Sequence, residues 1–146
     1  MIEAGGMRVV LDTNVLVAAL RSRRGASFAL VSSIPSPAFV PCLSVALYAE
    51  WQAVLTRPEH VPAGLTPADI HGFLRYLAAR SHLQQIYFRW RPFLPDPADD
   101  MVLELAVAAG ARHVVTHNVQ HFRGADGLGV EVIRPRPFLD LVRKSP

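Results

Sequence analysis

The sequence predicts an α/β fold in which helices cover a parallel sheet of about five strands, and three features carry that expectation. Short apolar runs bounded by turn residues alternate with longer stretches of helical periodicity along the whole chain. Polar residues interrupt the apolar pattern where a strand would hand over to a helix, most clearly at Asp12-Thr13-Asn14. No repeat, low-complexity tract or linker divides the 146 residues, 51% of them hydrophobic, so one domain spanning 1–146 with a sizeable core is expected.

Met7 opens the organised chain. Residues 1 to 6 are expected to be a loose extension, without the basic and apolar regions of a secretory signal. Val9, Val10 and Leu11 form the first strand. A helix follows from about Asn14 to Leu20, then the basic loop RSRRG with its helix-breaking Gly25. Ala26 to Ile34 reads as a second helix stopped by Pro35 and Pro37, and Ala38 to Pro41 as a second strand. Ser44 caps a third helix running to about Thr56, in which Leu47, Trp51 and Val54 share one stripe. Thr66-Pro67-Ala68-Asp69 has the capping threonine, first-turn proline and third-position acid of a helix start, with Ile70, Phe73, Leu74 and Leu77 as its buried face. Gln85 to Trp90, QIYFRW, is rich in strand-favouring residues and predicts another strand. Asp96 caps the next helix, Pro97 opens it and Gly110 ends it, with Val102, Leu105, Ala106 and Ala109 facing inward. His113 to Thr116 and Val130 to Ile133 are the last strands. A helix opened by Pro135 or Pro137 closes the chain.

Composition narrows the function. No apolar run approaches the roughly 18 residues of a membrane span, so no membrane association is expected. The single cysteine, Cys42, excludes an internal disulfide and a cluster of soft metal ligands; it fits a reducing cytoplasm and a small buried position. The net charge is +3, and all but Lys144 of the 15 basic residues are arginine, whose planar fork matches phosphate. That balance permits nucleic-acid binding without establishing it.

The candidate chemistry lies in acids at element ends. Asp12 sits at the carboxyl end of the first strand, where open α/β sheets place their ligands, and is read as the first ligand of a divalent-metal site. Glu50 lies within the apolar stripe of the third helix, so it faces protein and needs a cation or an arginine partner. Asp96, Asp99 and Asp100 crowd one helix's first turn, where acids also serve simply to cap free amides and complement the dipole. Asn118, just past the strand at His113–Thr116, marks a second strand end on the same rim as Asp12. Carboxylates gathered together repel unless protonated or bridged by a cation, and oxygen-only ligands suit Mg²⁺ or Mn²⁺. Such an ion acidifies water and stabilises charge building on a phosphate, which is what phosphodiester hydrolysis requires. Arg21, Arg23 and Arg24 follow Asp12 closely and are candidate RNA phosphate contacts. His117 and His121, four apart but after a strand, make a poor transition-metal pair, and Trp51 and Trp90 read as core or dimer surface.

VVLDTNVLVAAL (Val9–Leu20), Glu50 in the third helix, DPADDMVLELAVAAGA (Asp96–Ala111) and VVTHNVQHF (Val114–Phe122) together resemble the PIN domain. That family comprises small metal-dependent ribonucleases and includes the VapC-type toxins of bacterial toxin–antitoxin pairs. The resemblance implies a three-layer α/β/α fold with an acidic pocket at the strand ends. It matches Asp12 to the first acid, Glu50 to the second and Asp99 to the third. Thr13 matches the hydroxyl residue beside the first acid and Asn14 the polar residue after it. Asp96 matches the start of the acidic helix, and Asp100 is a secondary ligand candidate. The fourth position, commonly aspartate, falls on Asn118, which offers a carbonyl oxygen but no charge. One metal held firmly and a second held weakly or not at all is therefore expected. The implied protein is a cytoplasmic, dimeric endoribonuclease that uses Asp12, Glu50, Asp99 and Asn118 with Mg²⁺ or Mn²⁺, acts on RNA and is restrained by an antitoxin. The rival reading, kept open by Asn118, is a PIN-like module that binds RNA or a partner without cleaving. Phosphatases of the haloacid dehalogenase type and receiver domains also begin with a strand-end aspartate, but they need a second acid beside it and a lysine from a later strand. Here Thr13 and Asn14 follow Asp12, and the sole lysine is in the tail.

Overall fold

The structure, a computed structural model, describes residues 6–87 and 93–144. Strands β1 (Met7–Leu11), β2 (Phe39–Leu43), β3 (His82–Leu83), β4 (His113–Val115) and β5 (Glu131–Ile133) form one sheet in the order β3-β2-β1-β4-β5, and each pairing is parallel. Parallel neighbours need crossovers, and helices supply them. Helices α1 (Thr13–Arg21) and α2 (Ala26–Ser32) precede β2, α3 (Val45–Leu55) and α4 (Pro67–Ala79) precede β3, and α5 (Pro97–Ala109) precedes β4. Helix α6 (Pro135–Lys144) follows β5. Helix α5 packs across β1, β2 and β4, while α1 packs on α2 and α3, and α2 on α6. The expected α/β/α arrangement is thus present.

Val9, Val10, Leu11, Val114 and Val115 are buried, which is why these strands read as unbroken apolar runs rather than alternating ones. Caps fix where the helices begin. Ser44 Oγ accepts from the Leu47 N–H, Thr66 and Asp69 form a reciprocal capping box, and Asp96 accepts from the Ala98 N–H. Each such cap contributes about 1 kcal/mol. Gly110 ends α5 at φ 66°, a left-handed conformation that costs a glycine little.

Two expectations are corrected. The strand beside β2 is formed by His82 and Leu83, opposite Cys42 and Leu43, and not by the described part of the expected stretch, Gln85–Tyr87. The partner's length is the reason. β2 ends at Leu43, where Ser44 turns the chain into α3, so after the Gln84 N–H bonds the Leu43 carbonyl at 2.8 Å no further ladder remains. Gln85–Tyr87 carry no strand despite their composition, and Phe88–Trp90 lie outside the described residues. The second correction concerns β2, which passes through Pro41 to Leu43 although proline cannot donate to a ladder. β3 pairs only from Cys42 onward. Cys42 itself is buried, and that burial pushes its thiol up to about 11.

The strand order decides where a ligand can sit. From central β1 the chain runs outward to β2 and β3, then returns to add β4 and β5 on the other side. The carboxyl ends of β1 and β4 flank the point where the winding reverses, the crevice that such sheets use for binding. The Asp12 N–H extends the ladder to the Val115 carbonyl at 2.9 Å, which sets Asp12 beside Thr116. Among the described residues no helix is long and apolar enough to cross a membrane.

Candidate active site

Asp12 ends β1 and caps α1, two duties that bury it to 7% exposure. Its Oδ1 accepts the Thr13 N–H at 2.8 Å. Its Oδ2 accepts the Thr116 hydroxyl at 2.8 Å and the Asn14 side-chain amide at 3.4 Å. Burial pushes the Asp12 carboxyl above its ordinary value, the bonds from Thr116 and Thr13 draw it back, Glu50 adds to the rise and His121 opposes it.

The neighbours are tied into the same network. The Thr13 hydroxyl donates to Glu50 Oε2, joining the start of α1 to the middle of α3. Asn14 donates to Thr116 Oγ1 at 3.1 Å, and its own Oδ1 accepts the His117 N–H at 3.1 Å. Thr116 is fully buried and also accepts the Asn118 N–H at 3.1 Å. One hydroxyl therefore holds Asp12, Asn14 and the turn after β4 together. Thr116 drew no attention in the sequence because a threonine closing an apolar run reads as an ordinary β-branched strand residue.

The three acids at the start of α5 have separate fates. Asp96 caps the helix through the Ala98 N–H at 2.9 Å. Asp100 is 1% exposed, and its carboxylate accepts the N–H groups of Leu94 at 2.8 Å and Phe93 at 3.3 Å, which commits it to holding that loop. Asp99 is the acid that shares the field of Asp12. Burial first, then the charges of Asp12, Asp96 and Glu50, push it up to about 6, against the pull of His121. Its carboxylate accepts no hydrogen bond among the described residues; His121 Nδ1 lies 3.7 Å from its Oδ2.

The structure thus brings Asp12, Thr13, Asn14, Glu50 and Asp99 to one rim and adds Thr116 and His121 to them. The Asn118 side chain makes no hydrogen bond among the described residues. His117 turns away from His121 and meets Ser27 Oγ at 3.0 Å, so the two histidines form no pair. Burial, and then Arg134, lower the His117 pKa. Arg21 lines a groove beside His117, whereas Arg23 and Arg24 are exposed on the turn between α1 and α2. Trp51 is buried core, and Trp90 lies outside the described residues.

Among the described residues no three His, Cys, Asp or Glu side chains converge as a ready-made metal cage. The donor chemistry nevertheless fits a hard divalent cation: carboxylate oxygens with raised proton affinity, mutually repelling, and one of them unanchored.

Residues 8–120, most of the chain, match the family model described as PIN domain. The chain belongs to the PIN domain family. A search of curated proteins finds no match to the sequence. Among solved structures, VapBC-1 from nontypeable Haemophilus influenzae is similar at a TM-score of 0.62 and 18% identity, covering 89% of this chain and 99% of that one. VapBC2 from Rickettsia felis, bound to a DNA fragment from its promoter, has a TM-score of 0.61 and 14% identity, covering 88% and 98%. FitAcB from Neisseria gonorrhoeae has a TM-score of 0.56 and 20% identity, covering 88% and 98%. At these identities the likeness is one of fold.

Proposed function

We propose that this PIN domain is a metal-dependent endoribonuclease that hydrolyses RNA phosphodiesters and serves as the toxin of a toxin–antitoxin pair. The observation that carries the reading is the gathering of Asp12, Glu50 and Asp99 at the switch point, where burial first and then the charges of Asp12, Asp96 and Glu50 raise Asp99 to about 6. Asp12, Glu50 and Asp99 would hold Mg²⁺ or Mn²⁺, with Asn118 contributing at most a neutral oxygen. When bound, such an ion supplies a more acidic water and an electrophile for the phosphate. The chain's own residues do the positioning. Thr116 and the Thr13 amide fix both oxygens of Asp12, the Thr13 hydroxyl fixes Glu50, and Asn14 locks the two strand ends together. Asp99 is the donor left free to adjust.

A free ribonuclease would damage its host, so the reading carries with it an antitoxin encoded nearby, and the VapBC and FitAcB neighbours support that partner. A homodimer belongs to the same proposal. A second reading, a PIN module that binds RNA without cutting it, is favoured by the uncharged Asn118. Incubating purified protein with mixed RNAs, in Mn²⁺ or in EDTA, separates the two. The nuclease reading expects cleavage in Mn²⁺ alone that disappears in Asp12→Ala; no cleavage, or equal cleavage in the variant, overturns it.

A further inference from the structure

The acidic rim cannot by itself attract a polyanion, because carboxylates repel phosphates unless a cation intervenes. A groove beside the rim has the opposite character. It has a volume of about 400 Å³ and runs between the end of α1, the start of α2 and the start of α6. Arg21, Arg134 and Arg136 line it, with His117, Ser27 and Gly25 also on its walls, and no carboxylate is among its lining residues. All three arginines are exposed, and none forms an ion pair with a described carboxylate.

We propose that this groove binds the backbone phosphates of the RNA strand flanking the bond to be cut, with Arg21, Arg134 and Arg136 as the phosphate ligands. The inference rests on the ribonuclease reading. Three further observations favour this occupant. First, His117 links the groove to the rim: it lines the groove, and its N–H bonds Asn14, which contacts Asp12. A strand held in the groove would thus lie beside the rim that carries the acids. Second, neutral hydrogen-bonding groups stand beside the guanidiniums, since Ser27 Oγ and His117 Nε2 meet at 3.0 Å on the groove wall. Third, the walls are stiff. Arg134 and Arg136 flank buried Pro135, Pro137 follows, and Phe138 and Leu139 anchor α6 in the core. Proline fixes φ, so the two guanidiniums are displayed from a backbone with little freedom left to lose on binding. Guanidinium forks match phosphate oxygens in pairs.

The sequence brought forward only Arg21 from this set, because Arg134 and Arg136 lie at the far end of the chain. Arg23 and Arg24, which share the basic loop, are not among the groove's lining residues.

The test measures binding of a fluorescent single-stranded RNA 12-mer in EDTA, where cleavage is absent, to wild type and to the triple variant Arg21→Gln, Arg134→Gln, Arg136→Gln. A second triple variant, Arg57→Gln, Arg75→Gln, Arg143→Gln, removes the same charge outside the groove. We expect the groove variant to bind roughly 10-fold or more weakly, with the slope of log affinity against log salt reduced by about 2, given about 0.7 per single-strand phosphate contact. The control variant retains most of the affinity and slope. Equal losses in the two variants, or an unchanged groove variant, overturn the proposal. So does poly-glutamate competing as well as unlabelled RNA, which would make the groove an acidic-peptide site. Should the triple variant melt early, Arg136→Gln alone, at an exposed position, must show a smaller loss of the same sign. Cleavage assays in Mn²⁺ run alongside keep the readings apart. Groove-dependent binding without wild-type cleavage sinks the nuclease and leaves the groove, and cleavage with groove-independent binding does the reverse.

Discussion

Asp12 and Asp99 share one electrostatic field, yet the fold holds them in contrary ways. Asp12 closes a central strand, caps a helix and accepts hydrogen bonds from Thr13, Thr116 and Asn14, which fix the orientation of its carboxylate. Asp99, in the first turn of α5, is largely buried, yet it accepts no hydrogen bond among the described residues and faces a half-exposed His121. The difference follows from the elements that carry them. A buried strand end is over-determined by the sheet, whereas at the start of α5 Asp96 takes the Ala98 amide and Asp100 those of Phe93 and Leu94, which leaves the Asp99 carboxylate without such a tether. The rim therefore combines a fixed anchor with an adjustable donor, and the anchor is expected to matter more.

The largest effect should come from the anchor itself. Changing even a hydrogen-bond partner of a metal ligand commonly costs about 10- to 100-fold, so Asp12→Ala should lower RNA cleavage by at least about 100-fold. Asp99→Ala, measured in the same assay, sharpens the contrast if it costs less and breaks it if it costs more.

Next in size is the support of the anchor. Thr116→Val keeps the shape of the side chain and removes the hydroxyl on which Asp12, Asn14 and the Asn118 N–H converge. Cleavage should fall by about 10- to 100-fold with the fold retained in circular dichroism. An unaltered rate would mean that the start of α1 positions Asp12 unaided.

A third acid serves as the counter-example. Asp100 adjoins Asp99 in sequence but is spent on the Leu94 and Phe93 amides. Asp100→Ala leaves those donors without their acceptor, and urea unfolding should show a loss of about 1–3 kcal/mol. Its Mn²⁺ affinity should stay at the wild-type level; a loss matching that of Asp12→Asn would return Asp100 to the list of ligands.

Much of this was legible in the residues. Buried parallel strands read as plain apolar runs, and Ser44, Thr66, Asp96 and Gly110 announce helix ends through local chemistry that tertiary packing does not override. Asp12 was visible because a charged residue directly after such a run needs a reason. What stayed hidden depends on partners. The length of β3 is set by where β2 stops, which no property of Gln85–Trp90 reveals. Thr116 matters because Asp12 lies next to it across the sheet, and Asp99 differs from Asp100 only in which way each carboxylate faces. Arg134 and Arg136 join Arg21 only after the fold brings the last helix against α2.

The account rests on Asp12 and Asp99 being joint ligands of one divalent ion, and a Mn²⁺ titration followed by electron paramagnetic resonance at several pH values tests that directly. Protons compete with the ion for Asp99, whose carboxyl is pushed up to about 6, so affinity should be full above that value and fall as the pH drops through it. Without metal the same shift acts on folding in the opposite sense. The stability that goes with protonated Asp99 is fully present below the unfolded value of 3.8 and is lost as the pH rises through about 6. The predicted result is one tight Mn²⁺ site in wild type, absent in Asp12→Asn and losing its pH dependence near 6 in Asp99→Asn. Two tight, equivalent sites, or wild-type binding by Asp12→Asn, would contradict it.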